Sequence, residues 1–126
     1  MIAGFSHLSR VKAQSCFPKE IKKAFSTGDS ERLSAYFDLN VEILLVDRGD
    51  VYSKAQAELI MKKFFANNSP KSFTVESESE DESSNYAIAQ LKTKRNDFRV
   101  FIAYREKSRK IIVNQMVISE VQEVNE

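Results

Sequence analysis

Apolar positions recur at two different periods along this chain, and the change of period divides it. From Pro18 the spacing is helical: Phe17, Ile21, Ala24 and Phe25 share one face. Proline and Glu20 suit a first turn, and Gly28 supplies a left-handed stop. Asp29 or Ser30 can cap a second short helix with Leu33, Tyr36 and Phe37 on one side. Val41–Val46 is rich in branched side chains and reads as a buried strand. Asp47–Asp50 reads as a turn out of which Val51 and Tyr52 lead. Ser53 and Gln56 then stand at capping-box spacing, opening a helix with the stripe Ala57, Ile60, Met61, Phe64 and Phe65. Asn67–Pro70 ends it.

Beyond Pro70 the period shortens to two. The runs Ser72–Glu80, Tyr86–Lys94, Phe98–Arg105 and Ile111–Glu120 predict an antiparallel sheet joined by short polar connections. The order ααβαββββ predicts an α+β fold with its helices on one face of the sheet. Ala87, Ala89, Leu91 and Thr93, with Phe98, Val100, Ile102 and Tyr104, form the uncharged sets expected to face the helices. The last strand is apolar on both sides, with Ile111, Val113 and Val117 opposite Ile112, Met116 and Ile118. A sheet with one solvated face would not carry that pattern. It predicts either partial cover by the chain termini or a homodimer through the outer face, using Tyr86, Ile88, Phe101 and Met116.

Composition narrows the chemistry. The chain has 126 residues, 42% hydrophobic and 29% charged, with three Gly and two Pro, so a packed core is within reach. A net charge of +1 gives no electrostatic ground for nucleic acid, and no apolar run approaches a membrane span. One cysteine, Cys16, and one histidine, His7, make a zinc site or a His-based triad an unsupported expectation. Neither phosphate-binding glycine fingerprint is present, and neither metal nor cofactor is expected. Glu76, Glu78, Glu80, Asp81 and Glu82 lack the spacing of a calcium loop and read as a solvated strand edge. Residues 1–16 read as a disordered segment or the remnant of a leader, residues 17–120 as one domain, and residues 121–126 as a tail.

The stretches IKKAFSTGDSERLSAYF, DVYSKAQAELIMKKFF, PKSF, YAI and FRV resemble a bacterial domain-of-unknown-function family, number 4783, common in Bacteroidota. The resemblance covers about Phe17 to Glu120. It implies the architecture of the nuclear transport factor 2-like (cystatin-like) superfamily, a curved sheet wrapped around helices with a pocket at the open end of a cone. Family members usually carry secretion leaders, which implies export, although no intact leader stands in this sequence. The resemblance carries no activity.

Superfamily enzymes such as ketosteroid isomerase and scytalone dehydratase use Asp, Tyr or His in an apolar cavity. Asp38, Asp47, Asp50, Tyr36 and Tyr52 are the comparable groups here, and none stands in a catalytic motif. Tyr36, Tyr52 and Phe64, with Leu91, Ile102 and Gln115, are the pocket-lining candidates. The leading expectation is a non-catalytic binding or interaction module taking a small apolar ligand. The alternatives are an isomerase- or dehydratase-type enzyme, using Asp38 or Asp47 with Tyr36 or Tyr52, and a structural dimerisation module.

Overall fold

In the computed structural model, which describes residues 17–80 and 84–122, α1 (Lys19–Thr27) buries Ile21, Ala24 and Phe25. It ends at Gly28, whose φ of 69° only glycine adopts without strain. A Cβ there would also press on Pro70 at 3.1 Å. The expectations for residues 1–16, for Asp81 and Glu82, and for the last four residues lie outside the described residues.

Asp29 caps α2 (Ser30–Ser34), its carboxylate accepting from the Arg32 amide at 2.9 Å. This helix is little more than one turn. The Tyr36 carbonyl accepts instead from the Val113 amide at 2.7 Å, so the last strand captures the chain and β1 (Phe37–Leu45) starts at Phe37. Phe37 therefore belongs to a strand rather than to a helical face. A hairpin returns through β2 (Arg48–Ser53), a strand where the sequence predicts a turn and an exit. The order is thus ααββαββββ. Edge position explains the miss: Arg48, Gly49 and Asp50 are exposed, and turn-forming residues are tolerated on an edge. Ser53 and Gln56 complete the capping box of α3 (Lys54–Asn67), which buries Ala57, Met61, Phe64 and Phe65.

The strands β3 (Pro70–Glu80), β4 (Asn85–Thr93), β5 (Asp97–Lys107) and β6 (Lys110–Glu120) follow. All belong to one curved six-stranded sheet of order β2-β1-β6-β5-β4-β3. Every pairing is antiparallel except β1 with β6, which run parallel. Register breaks in β1, β3 and β6 supply the local bends a curved sheet needs. Ala87 and Leu91 of β4 and Phe98, Val100, Ile102 and Tyr104 of β5 join the buried helix residues and Val41, Ile43, Val113, Met116 and Ile118 in one core. Aromatic contacts lock it, with Phe25 stacked on Phe73 at 4.6 Å and edge-on to Phe65 at 5.9 Å.

One break corrects the reading of the last strand. Tyr104 pairs with Val113 but Ala103 pairs with Gln115, so Asn114 is an extra residue and the alternation changes phase across it. Val113, Met116 and Ile118 are all fully buried as a result. Met116 is therefore a core residue and not part of the outer face. Gln115 is carried the other way, onto the outer face beside Ala103 and Glu42.

Candidate functional site

A cavity of about 530 Å³ lies among α3, the β1–β2 hairpin and the β4–β5 turn. Its buried floor is Ile43 of β1, Phe64 of α3 and Phe98 of β5, with the Phe64 and Phe98 rings edge-on at 5.0 Å. Leu45, Tyr52 and Ile60 are half-buried walls. Ile60, Lys63, Phe64 and Asn67 reach the cavity together because they fall at i, i+3, i+4 and i+7 of one helix. The exposed rim carries Val46, Arg48, Lys63, Arg95, Asn96 and Glu120.

The rim is fastened at several points. The buried Thr93 hydroxyl accepts from the amides of Arg95 at 3.1 Å and Asn96 at 3.0 Å and donates to the Asn96 carbonyl at 2.6 Å. Next to it, the Lys94 amide donates to the Ser69 carbonyl at 3.0 Å, tying the β4–β5 turn to the end of α3. The Asn68 side chain caps that helix by donating to the Phe64 carbonyl at 3.1 Å. Across the mouth, the Val46 amide donates to the Ile118 carbonyl at 2.7 Å and holds the β1–β2 turn against β6. Val46 has φ of 60°, a conformation that costs a branched residue of order 1–3 kcal/mol. Connections of this kind hold the rim of the cavity in shape.

Of the residues singled out from the sequence, Tyr52 and Phe64 line this cavity. Leu91 and Ile102 face the same side of the sheet but are sealed in the core, at 0% and 1% exposure. Tyr36 is half-buried outside the cavity lining, and Gln115 lies on the outer face. Arg48, Lys63 and Arg95 are not among the residues the sequence marks as a site: Arg48 reads as part of a turn, Lys63 as lying off the helical stripe and Arg95 as part of a solvated basic side. Only the face shared by Ile60, Phe64 and Asn67 could have pointed to Lys63.

The acids weighed for proton transfer sit elsewhere. Asp38 accepts from the Leu39 amide at 2.8 Å and from Arg105 at 3.1 Å. The Leu39 amide, with Arg105 and Lys107, holds its carboxyl below the usual carboxylate value, against a smaller opposing effect of burial. A general base in an apolar cavity would be displaced upward instead. Asp47 and Asp50 are exposed at the β1–β2 hairpin and do not line the cavity. Among the described residues no group of three or more His, Cys, Asp or Glu side chains is placed to hold a metal ion. No helix there is long and apolar enough to cross a membrane.

The Asp38 shift has a consequence for stability. A carboxyl held lower in the folded chain than in the unfolded one stabilises the fold above the unfolded value, 3.8, and loses that contribution as pH falls through the folded value. Thermal melts of Asp38→Asn and wild type should therefore differ at neutral pH and converge as pH falls below 3.8 and through the lowered folded value. A gap that stays constant over that range would remove the assignment.

A profile of the family described as "Domain of unknown function (DUF4783)" matches residues 18–119. A crystallised member from Bacteroides uniformis is 28% identical, with TM-score 0.80, covering 85% of this chain and 99% of its own. Another, from Bacteroides ovatus, is 26% identical with TM-score 0.80, covering 85% and 97%. A de novo designed protein with a curved β-sheet is 15% identical with TM-score 0.69, covering 80% and 93%, a likeness of fold alone. No curated protein matches the chain.

Proposed function

The chain belongs to the DUF4783 family, and from that premise we propose that it is a non-catalytic binding domain whose cavity takes a small apolar ligand. The observation that carries this reading is the cavity itself. Its volume of about 530 Å³ lies inside the ~300–1,000 Å³ range of small-molecule sites, and its floor is apolar and aromatic. We also assign the architecture to the nuclear transport factor 2-like superfamily. The likeness to a designed curved-sheet protein and the cavity between sheet and helix support that assignment.

The neutral, environment-sensitive dye N-phenyl-1-naphthylamine tests the binding reading. It should bind the folded protein at a single site, with a rise in fluorescence. Ile60→Trp, which fills the cavity from a half-buried wall, should weaken binding by about tenfold or more while the folded circular dichroism spectrum is kept. Absence of binding to the folded protein, or equal binding by the variant, overturns the reading.

A second observation favours self-association. Ile88, Phe101, Val117 and Leu44 lie in register across four adjacent strands on the face away from the helices. Tyr86 extends this row, 39% exposed and packed on Phe101 at 5.4 Å. We infer that a second copy covers this stripe, since a contiguous apolar row on a sheet face is a surface suited to pairing.

A further inference from the structure

We propose that the ligand is a small anionic amphiphile, with its apolar body on the Phe64–Phe98 floor and a carboxylate-type head at the rim. This inference deepens the binding reading above and rests on it.

Three cations reach the mouth from three separate elements. Lys63 comes from α3, on the same helical face as Ile60 and Phe64. Arg48 opens β2 and pairs in register with the wall residue Leu45. Arg95 sits in the β4–β5 turn, which Thr93 fixes from beneath. Opposing them, Glu120 is the one acid among the lining residues. Among the described residues no ion pair engages Arg48, Lys63 or Arg95, whereas Arg32 pairs with Glu20 and Asp29, and Arg105 with Asp38.

The chemistry selects the class. A wholly apolar ligand would leave this excess of positive charge without a counterpart beside a low-dielectric floor. A carboxylate answers it, because guanidinium groups bind carboxylates through two parallel hydrogen bonds and an ammonium adds a point charge. Asn67, Asn68 and Asn96 add neutral polar groups to the same lining. The body of the ligand then lies where Ile43, Phe64 and Phe98 exclude water.

Displacement of bound N-phenyl-1-naphthylamine by decanoate and by decan-1-ol tests the proposal on the full chain. In the variant carrying Arg48→Gln, Lys63→Gln and Arg95→Gln, displacement by decanoate should need at least about tenfold more ligand than in wild type. The decanol requirement should rise far less, so that the decanoate-to-decanol ratio increases, and an unchanged ratio overturns the proposal. A smaller loss with dye binding intact overturns the anionic head and leaves the apolar cavity standing. Failure of wild type to bind the dye overturns both. Should the triple variant fold poorly, wild type carries the same test. Raising NaCl from ~50 to ~500 mM should weaken decanoate at least about fivefold and leave decanol unchanged, and equal salt dependence overturns the proposal.

Discussion

Phe25→Ala should cost about 3–5 kcal/mol of stability, the range for removing a fully enclosed aromatic ring. Phe25 has no exposed surface and touches Phe73 face to face and Phe65 edge to face, so its loss opens a void that three elements line. Neither α1 nor α3 can close the gap easily. At the end of α1 there is no room beside Gly28 even for a Cβ, which would meet Pro70 at 3.1 Å, and α3 is held by its cap at Ser53. For a chain of this length the change should lower the melting temperature by roughly 10–20 °C. Phe25→Leu, which keeps most of the volume, should recover more than half of that. Melting followed by circular dichroism measures both. A loss below about 1 kcal/mol for the alanine variant would mean that Phe25 is not enclosed as described.

Met116→Asp and Val117→Asp should have opposite consequences although the two residues are neighbours. Met116 is fully buried among apolar side chains, and a carboxylate placed there has no partner. The expected cost is about 4 kcal/mol or more, enough to unfold much of the population. Val117 points to the outer row with Phe101 and Leu44, so its substitution should leave the subunit within about 1 kcal/mol of wild-type stability. On the proposal that a second copy covers this row, the same change should convert the dimer into a monomer. Chemical denaturation reads the first effect and sedimentation velocity the second. If Met116→Asp folds normally and Val117→Asp does not, the phase of β6 is wrong. If the Val117 variant is fully folded and sediments as wild type does, the outer row is not the pairing surface.

The contrast between those neighbours also marks where sequence reading runs out. Inward residues of β4 and β5 were legible because alternation is unbroken along both strands, and the stripe of α3 was legible for the equivalent reason at helical period. A bulge leaves no such trace: Asn114 and Gln115 are adjacent polar residues in an apolar run, and nothing local says at which of them the phase changes. The one extra residue, Asn114, moved Met116 inward and Gln115 outward. β2 was hidden by composition, since Arg48-Gly49-Asp50 reads as a turn whether or not an edge strand runs through it. The cavity was legible only where it is apolar. Tyr52 and Phe64 stood out as aromatics, whereas Arg48, Lys63 and Arg95 gain meaning only when three distant elements meet. Leu91 and Ile102 were placed on the correct face, but depth within the core is set by which helix side chains lie above them.

The parallel seam between β1 and β6 has a bearing on how the chain is made. Phe37 is matched to Val113, and Ile43 to Met116, so the middle of the sheet joins segments from opposite ends of the described chain. During synthesis both helices that flank β1, and the hairpin it forms with β2, emerge long before the strand that completes their core. Until Lys110–Glu120 has left the ribosome, β1 presents an unpaired edge and a row of uncovered apolar side chains. Contacts this distant in sequence make assembly slow relative to local structure. The nascent chain therefore acquires its order late, which makes shielding by chaperones most valuable in the interval before Lys110–Glu120 emerges.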